Sequence, residues 1–573
     1  MIYGPRPTVT GNIHAVSSGH YLATAAGYSI LEAGGNAVDA GVCVGLALGV
    51  VHPHDVKIAG VAPIMIKMAG GDVVTIAGLG HWPRNMSADF FMKAHGGKMP
   101  RGILRTVVPA APDAWITALR DYGTMTFGEV AAAAIEYASK GFPAYSHMLA
   151  HFTEEQEDYR KFEYTASVYL PNGRLPRPNE RFVQTDLAAT LQYMVDQEKA
   201  SLGNGREAGL EAARGAFYKG DIADKIIRFH QENGGLLGRE DLANFHSKYE
   251  RPVSVRWKNH TVYTCGPWCQ GPVLAQALKM LDRMGLNGLG HNSAEYIHVL
   301  VEVLKAAFAD REYRYGDPDH VEVGIEEMLS DDYLDQRIAA IDLTKAAPDM
   351  PAPLGPLPND HDWSKTKKST PERGKTPEAK DTTYLCVIDK WGNALSATPS
   401  DGIEACPMVP GTGLVISPRG VQSRPDPTHP SGVGPGRRPR LTPNPAISVL
   451  DDGSIFTFGT PELDVQTQAM LQVFLNVFNF GMDIQEAIEM PRFATFSFPA
   501  TSYPNDHLSN QVWIEDRLPQ YVLDGLGQRG HETYKWPRFT RKASAVDAIF
   551  LDRTTNFIRA GADCREPSYA IAR

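Results

Sequence analysis

Residues 345–380 carry seven prolines in 36 positions, interspersed with lysines and aspartates and almost without apolar spacing. Proline fixes φ and removes a backbone donor, so such a stretch cannot form a buried helix or strand. It predicts an exposed linker or surface loop that divides the chain into two unequal blocks. Directly behind it stands Thr382-Thr383-Tyr384-Leu385-Cys386-Val387-Ile388-Asp389, a β-branched and apolar run that reads as a strand. Lys390-Trp391-Gly392-Asn393 supplies the turn, and residues 394–398 pair back as the second arm of a hairpin.

The blocks on either side alternate helical patterns with short apolar strands. Residues 21–33 read as a helix ended by Gly34-Gly35, and Asn36 then caps a second helix whose run to Val51 is apolar on every side and therefore buried. Residues 63–77 read as a hairpin around Gly70-Gly71. Further helices are expected at 127–139, 185–198, 223–233 and 294–311. A second irregular stretch, 418–445, holds eight prolines and five arginines. Beyond it come a strand at 455–458, a helix at 465–479 and a terminal hairpin at 545–559. No internal repeat and no heptad pattern is present.

Several function classes drop out. Lys+Arg 56 against Asp+Glu 66 leaves −10, which offers nothing to a phosphate backbone or an anionic membrane. The apolar run 40–51 is shorter than the ~20 residues a spanning helix needs. The first twenty residues lack a basic segment followed by an apolar one, so a soluble, cytoplasmic protein is expected. The six cysteines form no disulfide framework, and Cys265-x3-Cys269 without nearby histidines is a weak zinc pattern.

The chemistry points to the threonine behind the loop. A threonine hydroxyl is a poor nucleophile until a base takes its proton. If the preceding peptide bond is cut, the residue's own α-amine becomes that base, and with a pKa near 8 it works at neutral pH. Thr-Thr at a strand start also occurs for β propensity alone, so the pattern needs support from elsewhere in the chain.

That support is a resemblance. TTYLCVIDKWGNALSATPSDG resembles the signature around the nucleophile of the γ-glutamyltranspeptidase family, proenzymes that cut themselves before a threonine and belong to the N-terminal-nucleophile hydrolases. Other matches run in family order: GGNAVDAG at 34–41, DYGTMTFGEV at 121–130, GGLLGREDLANF at 234–245, ADREYRYGDPD at 309–319, PGRRPRLTPNPAI at 435–447, GTPE at 459–462, EMPRF at 489–493 and GADCRE at 561–566. The resemblance implies an α/β fold, an αββα sandwich built jointly by a large fragment 1–381 and a small fragment 382–573 as one interwoven unit. It implies cleavage between Asp381 and Thr382, with Thr382 as nucleophile and Thr383 the alternative one position on. Ser400 falls where the family has a second threonine supporting the nucleophile. Leu441-Thr442 and the turn Gly459-Thr460-Pro461-Glu462-Leu463 fall at the oxyanion position, where backbone N–H groups would stabilise a tetrahedral intermediate.

Departures from the family pattern bear on specificity. Leu79 stands where the family has the arginine that pairs the substrate's α-carboxylate, and Val421 where it has the aspartate for the α-amine. Glu462-Leu463 replace a glycine pair, and Tyr384 replaces a histidine. A zwitterionic γ-glutamyl group is therefore not the expected substrate. Arg419, Arg424, Arg437, Arg438 and Arg440 offer an alternative carboxylate clamp, and His81 and Trp82 an acyl pocket beside Leu79. The expected reaction is amide hydrolysis, or transfer to an amine, through an acyl-threonine ester, with a small-molecule amide as partner. No cofactor and no metal are implied, and a homo-oligomer is left open. Two other readings stand beside this one: a relative that never cleaves, and a metal-dependent amidohydrolase using His52 and His54, for which the (βα)8 rhythm is missing.

Overall fold

The computed structural model describes residues 6–286, 288–357, 361–363, 369–370, 375–376, 381–402 and 405–573. Of the Pro-rich stretch 345–380, residues 345–357 are irregular and, Ala346 apart, not buried, as expected of a surface loop; most of 358–380 lies outside the described residues.

Two seven-stranded sheets stack face to face. Strand Leu385–Ile388 shows why. All four residues are buried, with Leu385 and Val387 packed into an outer core and Cys386 and Ile388 into the core between the sheets. A strand covered on both faces needs no polar alternation, which is what a continuous apolar run means. In the other sheet, Phe456 and Phe458 turn outward while Ile455 turns inward.

The two outer cores are completed by helices. Tyr21–Glu32 and Ala37–Val51 cover the first sheet, with Ala111–Tyr122 and Phe127–Lys140 packed on Ala37–Val51; Gly271–Met284 and Gln466–Phe478 cover the second, with Ala294–Arg314 packed on Gly271–Met284. Four layers result, helix–sheet–sheet–helix: the αββα sandwich. Helix Ala37–Val51 is buried along its whole length, and Asn36 with Asp39 closes its start in a capping box. The expected hairpin around Gly70-Gly71 is present as Ile64–Lys67 and Val73–Ile76.

Strand order decides where the two ends of the hairpin lie. The first sheet runs Tyr569–Ala572, Ala15–Ser18, Leu385–Ile388, Ala394–Ala397, Ile64–Lys67, Val73–Ile76, Tyr249–Glu250. The hairpin behind the Pro-rich stretch is therefore inserted between strands from the beginning of the chain, with antiparallel pairing on both sides. This insertion carries Thr382 and Ser400 to the same end of the sheet.

Candidate active site

Thr382 and Thr383 precede one arm of the hairpin and Ser400 follows the other. Backbone bonds fix both: Thr382 N–H donates to the Asp55 carbonyl (3.1 Å), Thr383 N–H to Pro399 (3.2 Å) and Ser400 N–H to Val61 (3.0 Å). Successive residues of extended chain face opposite ways. The Thr382 hydroxyl turns to Ser400, at 2.6 Å. The Thr383 hydroxyl instead lies against Gly19, where a Cβ would sit 1.8 Å from it. The chain runs unbroken through Asp381–Thr382, and Thr382 has φ +83°. A β-branched residue held in that left-handed region stores about 1–3 kcal/mol, beside the bond expected to break.

A directed hydrogen-bond chain crosses the site. Arg419 donates from Nη2 to Ser400 Oγ (2.6 Å), Thr382 Oγ1 lies 2.6 Å from Ser400 Oγ, and Thr382 donates to Asp381 Oδ1 (2.9 Å). Guanidinium only donates and carboxylate only accepts, so both hydroxyl protons point one way: Ser400 to Thr382, Thr382 to Asp381. Arg419 also pairs Asp381 Oδ2 (2.8 Å) and Asp401 Oδ1 (2.6 Å). Burial raises the Asp401 carboxyl above its usual range against the pull of Arg419. Burial likewise brings the nearby Lys57 amine down to about 8.

Behind Thr382 lies a second charged group that sequence reasoning missed. Arg541, in the short turn Arg541–Ala543, donates to the Thr382 carbonyl (3.1 Å) and pairs Asp55 (2.9 Å), Glu462 (2.9 Å) and Glu566 (2.6 Å). Three carboxylates share one guanidinium. Burial pushes the Glu462 carboxyl up to about 7 and the Glu566 carboxyl up to about 8. At Asp55, burial is outweighed by Arg541 and by the imidazoles around it, which hold the carboxyl well below its usual range. Those imidazoles are His52, His54, His147 and His151; burial lowers the pKa of each, His147 to about 4 and His151 to about 3. The H-x-H at 52–54 reads in sequence as a barrel metal motif; the spacing H-x3-H at 147–151 is the signal that would have added His147 and His151.

The oxyanion candidates separate. The Leu441 N–H donates to Trp268 O (2.7 Å) and the Thr442 N–H to Gln422 Oε1 (3.0 Å). Both donors are occupied, which corrects their expected role. The turn is different. Glu462 and Leu463 take φ +80° and +41°, keeping a left-handed pair where the resemblance places glycines. They lead into the turn Leu463–Val465, whose first N–H groups have no partner within it. The Glu462–Arg541–Thr382 bridge ties this turn to the nucleophile. Gly459 is needed for a close approach: a Cβ there would lie 2.2 Å from the Tyr384 ring. Thr460 bonds Ser544 (2.6 Å) and braces the turn. A narrow cleft lined by Glu462, Leu463, Phe496, Trp536 and Lys542 opens beside it.

The model of the gamma-glutamyltranspeptidase family matches residues 23–572. The chain belongs to that family. It is 29% identical to the glutathione hydrolase-like YwrD proenzyme of Bacillus subtilis (strain 168), covering 98% of this chain and 99% of that one. It is also 29% identical to the acylase ACY 1 proenzyme of Pseudomonas sp. (strain V22), covering 94% and 90%. The crystal structure of cephalosporin acylase from Bacillus halodurans superposes with a TM-score of 0.84 at 26% identity, over 100% of this chain and 98% of that one. These proenzymes place the chain among hydrolases of amide bonds with the N-terminal-nucleophile fold.

Within this gamma-glutamyltranspeptidase framework the remaining expected pocket residues are engaged in packing or in structural bonds. Trp82 is fully buried, packs against Phe91 and supports the Arg419 turn through Gly420. It is a core residue rather than a pocket wall. His81 bonds the Trp82 carbonyl through Nδ1 (2.8 Å). Leu79 and Val421 are buried apolar side chains. The arginine clamp does not form either: Arg424 and Arg440 bind Glu312, Arg438 binds Asp317 and Glu250, and Arg437 holds backbone carbonyls. Of the five arginines, Arg419 alone contacts Ser400 or Asp381 among the described residues. The barrel-type metal amidohydrolase reading is overturned by the fold, since His52-Pro53-His54 follows a buried helix of a sandwich.

Proposed function

We propose that this chain is an autoprocessing amidohydrolase that cuts itself between Asp381 and Thr382 and then works through an acyl ester on Thr382, with acyl groups that carry one carboxylate. The hydrogen-bond chain from Arg419 through Ser400 and Thr382 to Asp381 carries this reading. In maturation, Thr382 Oγ attacks the Asp381 carbonyl carbon and its proton passes to the Asp381 carboxylate. The C–N bond breaks as the leaving nitrogen takes that proton back from the Asp381 carboxyl, which frees the α-amine, and water then hydrolyses the ester. The freed α-amine then serves as base for the same hydroxyl, and Ser400 holds that oxygen in place.

Asp381 is also the first acyl group the site processes. Its side chain marks where a substrate's acyl chain goes, and its carboxylate sits on Arg419. A succinyl-type acyl places a carboxylate at the same distance from the reacting carbonyl. A γ-glutamyl zwitterion finds hydrocarbon at Leu79 and Val421 instead of its two charge partners; at ~2 kcal/mol for each lost pairing, the preference against it is about a thousandfold. All six cysteines are free thiols, five of them buried, which suits a reducing compartment such as the cytoplasm.

The test is kcat/KM of the processed protein for succinyl, glutaryl, acetyl and γ-glutamyl p-nitroanilides, preceded by intact-mass analysis and N-terminal sequencing. A small fragment beginning at Thr382 and a succinyl or glutaryl preference are expected. A γ-glutamyl preference, or a fragment beginning elsewhere, overturns the reading.

A further inference from the structure

The turn after helix Ala37–Val51 and the start of helix Ser146–Tyr159 gather three imidazoles around one carboxylate oxygen. Asp55 Oδ2 lies 2.9 Å from His52 Nε2, 3.2 Å from His54 Nε2 and 3.7 Å from His147 Nε2, and all four atoms fall within 4.8 Å of one another. Donors about 2.0–2.1 Å from a tetrahedral zinc stand roughly 3.3–3.4 Å apart. The three separations bracket that edge.

Hydrogen bonding accounts for only part of the arrangement: Asp55 Oδ2 accepts from Arg541 Nη2 (2.9 Å) and faces His52 Nε2, while other nitrogens around it are left over. Tyr145 gives its single hydroxyl proton to the Val51 carbonyl (2.9 Å), so its 3.1 Å contact with His52 Nδ1 needs Nδ1–H as donor. His52 Nε2, 2.9 Å from Asp55 Oδ2, then needs either a second ring proton or a metal ion between the two. His54 is 3% exposed, yet neither of its nitrogens has a hydrogen-bond partner, and His147 Nε2 has none. Buried polar atoms are rarely left so. Asp55, Glu462 and Glu566 all gather on the one guanidinium of Arg541 beside the imidazoles.

We propose that His52, His54, Asp55 and His147 bind one divalent cation of the zinc class, four-coordinate and closed to substrate. Tyr145 orients His52 from outside, as ligand histidines require. The ion is a positioning element. It fixes Asp55, whose backbone carbonyl receives the N–H groups of Thr382 (3.1 Å) and Asp401 (2.9 Å). The other buried cluster, His298, Glu302 and His531, has ordinary partners: His298 bonds His531 and the Asp342 carbonyl, and Glu302 bonds Lys305.

The experiment uses untagged full-length protein, stripped with chelator and titrated with Zn2+ or Co2+. One ion per chain is expected, with the visible bands of tetrahedral Co2+, and X-ray absorption should show four nitrogen or oxygen neighbours at about 2.0 Å. The double variant His54→Ala/His147→Ala should bind at least about a hundredfold more weakly, and His298→Ala/His531→Ala as the parent does. The absorption spectrum needs no variant, so misfolding of either double variant leaves the test intact. No zinc retained by the parent, sulfur neighbours in the spectrum, or loss that tracks His298/His531 overturns the proposal.

Discussion

On the proposed reading, Thr382, Ser400 and Arg419 divide the work of one hydroxyl. Thr382→Ala removes the oxygen that attacks, so it should remain a single full-length band on denaturing gels after prolonged incubation. Ser400→Ala removes one charge-assisted hydrogen bond through Arg419, and kcat or the rate of maturation should fall roughly ten- to a hundredfold. Ser400→Thr keeps the hydroxyl and should be tolerated; parental rates in Ser400→Ala would assign that serine to packing alone. Arg419→Met separates the arginine's two contacts. Loss of the Ser400 donor lowers every rate, whereas loss of the carboxylate partner lowers kcat/KM for a succinyl amide at least about thirtyfold more than for an acetyl amide. An unchanged ratio between the two substrates would remove Arg419 from acyl recognition. Thr382 and Ser400 were legible through the family resemblance of one short segment, because both lie on one hairpin. Asp55 and Arg541 were not, because nothing in either neighbourhood announces that residues 486 positions apart share an ion pair. The arginine-rich stretch misled for the same reason: its charges show in the sequence, while Glu312 and Asp317, which neutralise them, lie more than a hundred positions upstream.

The turn 459–463 depends on the strand it faces. Tyr384 occupies the space over Gly459 and bonds Ser396 at 2.6 Å. Gly459→Ala should therefore cost about 1–3 kcal/mol, read as a lower urea midpoint, and Tyr384→Leu should recover part of it by withdrawing the ring. Helix Asp221–Glu232 gives a separate test of burial. His230 is 1% exposed, and burial alone lowers its pKa to about 4. Its unfolded pKa is ~6.5, so below that value the unfolded chain binds a proton that the folded chain refuses. Its stability contribution is intact above pH 6.5 and is lost as the pH falls towards 4. In His230→Gln, proton uptake on unfolding at pH 5, from the pH dependence of urea unfolding, should drop by close to one; an unchanged value would mean that His230 titrates normally. The helices and hairpins themselves were readable from apolar spacing, capping and glycine turns. What spacing could not supply was the pairing between Leu385–Ile388 and Ala15–Ser18, since strand partners distant in sequence leave no periodic trace.

That pairing governs how the molecule comes apart. Residues 382–573 contribute the hairpin in the middle of one sheet and Tyr569–Ala572 at its edge, while fragment 1–381 supplies the strands between and beyond them. Cutting Asp381–Thr382 removes one covalent bond and none of the sheet's hydrogen bonds. The two fragments should therefore co-elute in native size exclusion and part only in denaturant; separate native peaks would contradict the interwoven sheet. Refolding is another matter. Before the cut, the hairpin finds its slot by an intramolecular search at a high effective concentration; after it, the same event is a bimolecular encounter. Uncut Thr382→Ala should regain its structure with a yield independent of protein concentration, while the mature pair recovers poorly at high dilution. With the proposed cut, maturation turns a reversible object into one with a memory: the finished enzyme persists by the slowness of its own undoing, and its assembly instructions expire with the bond that joined them.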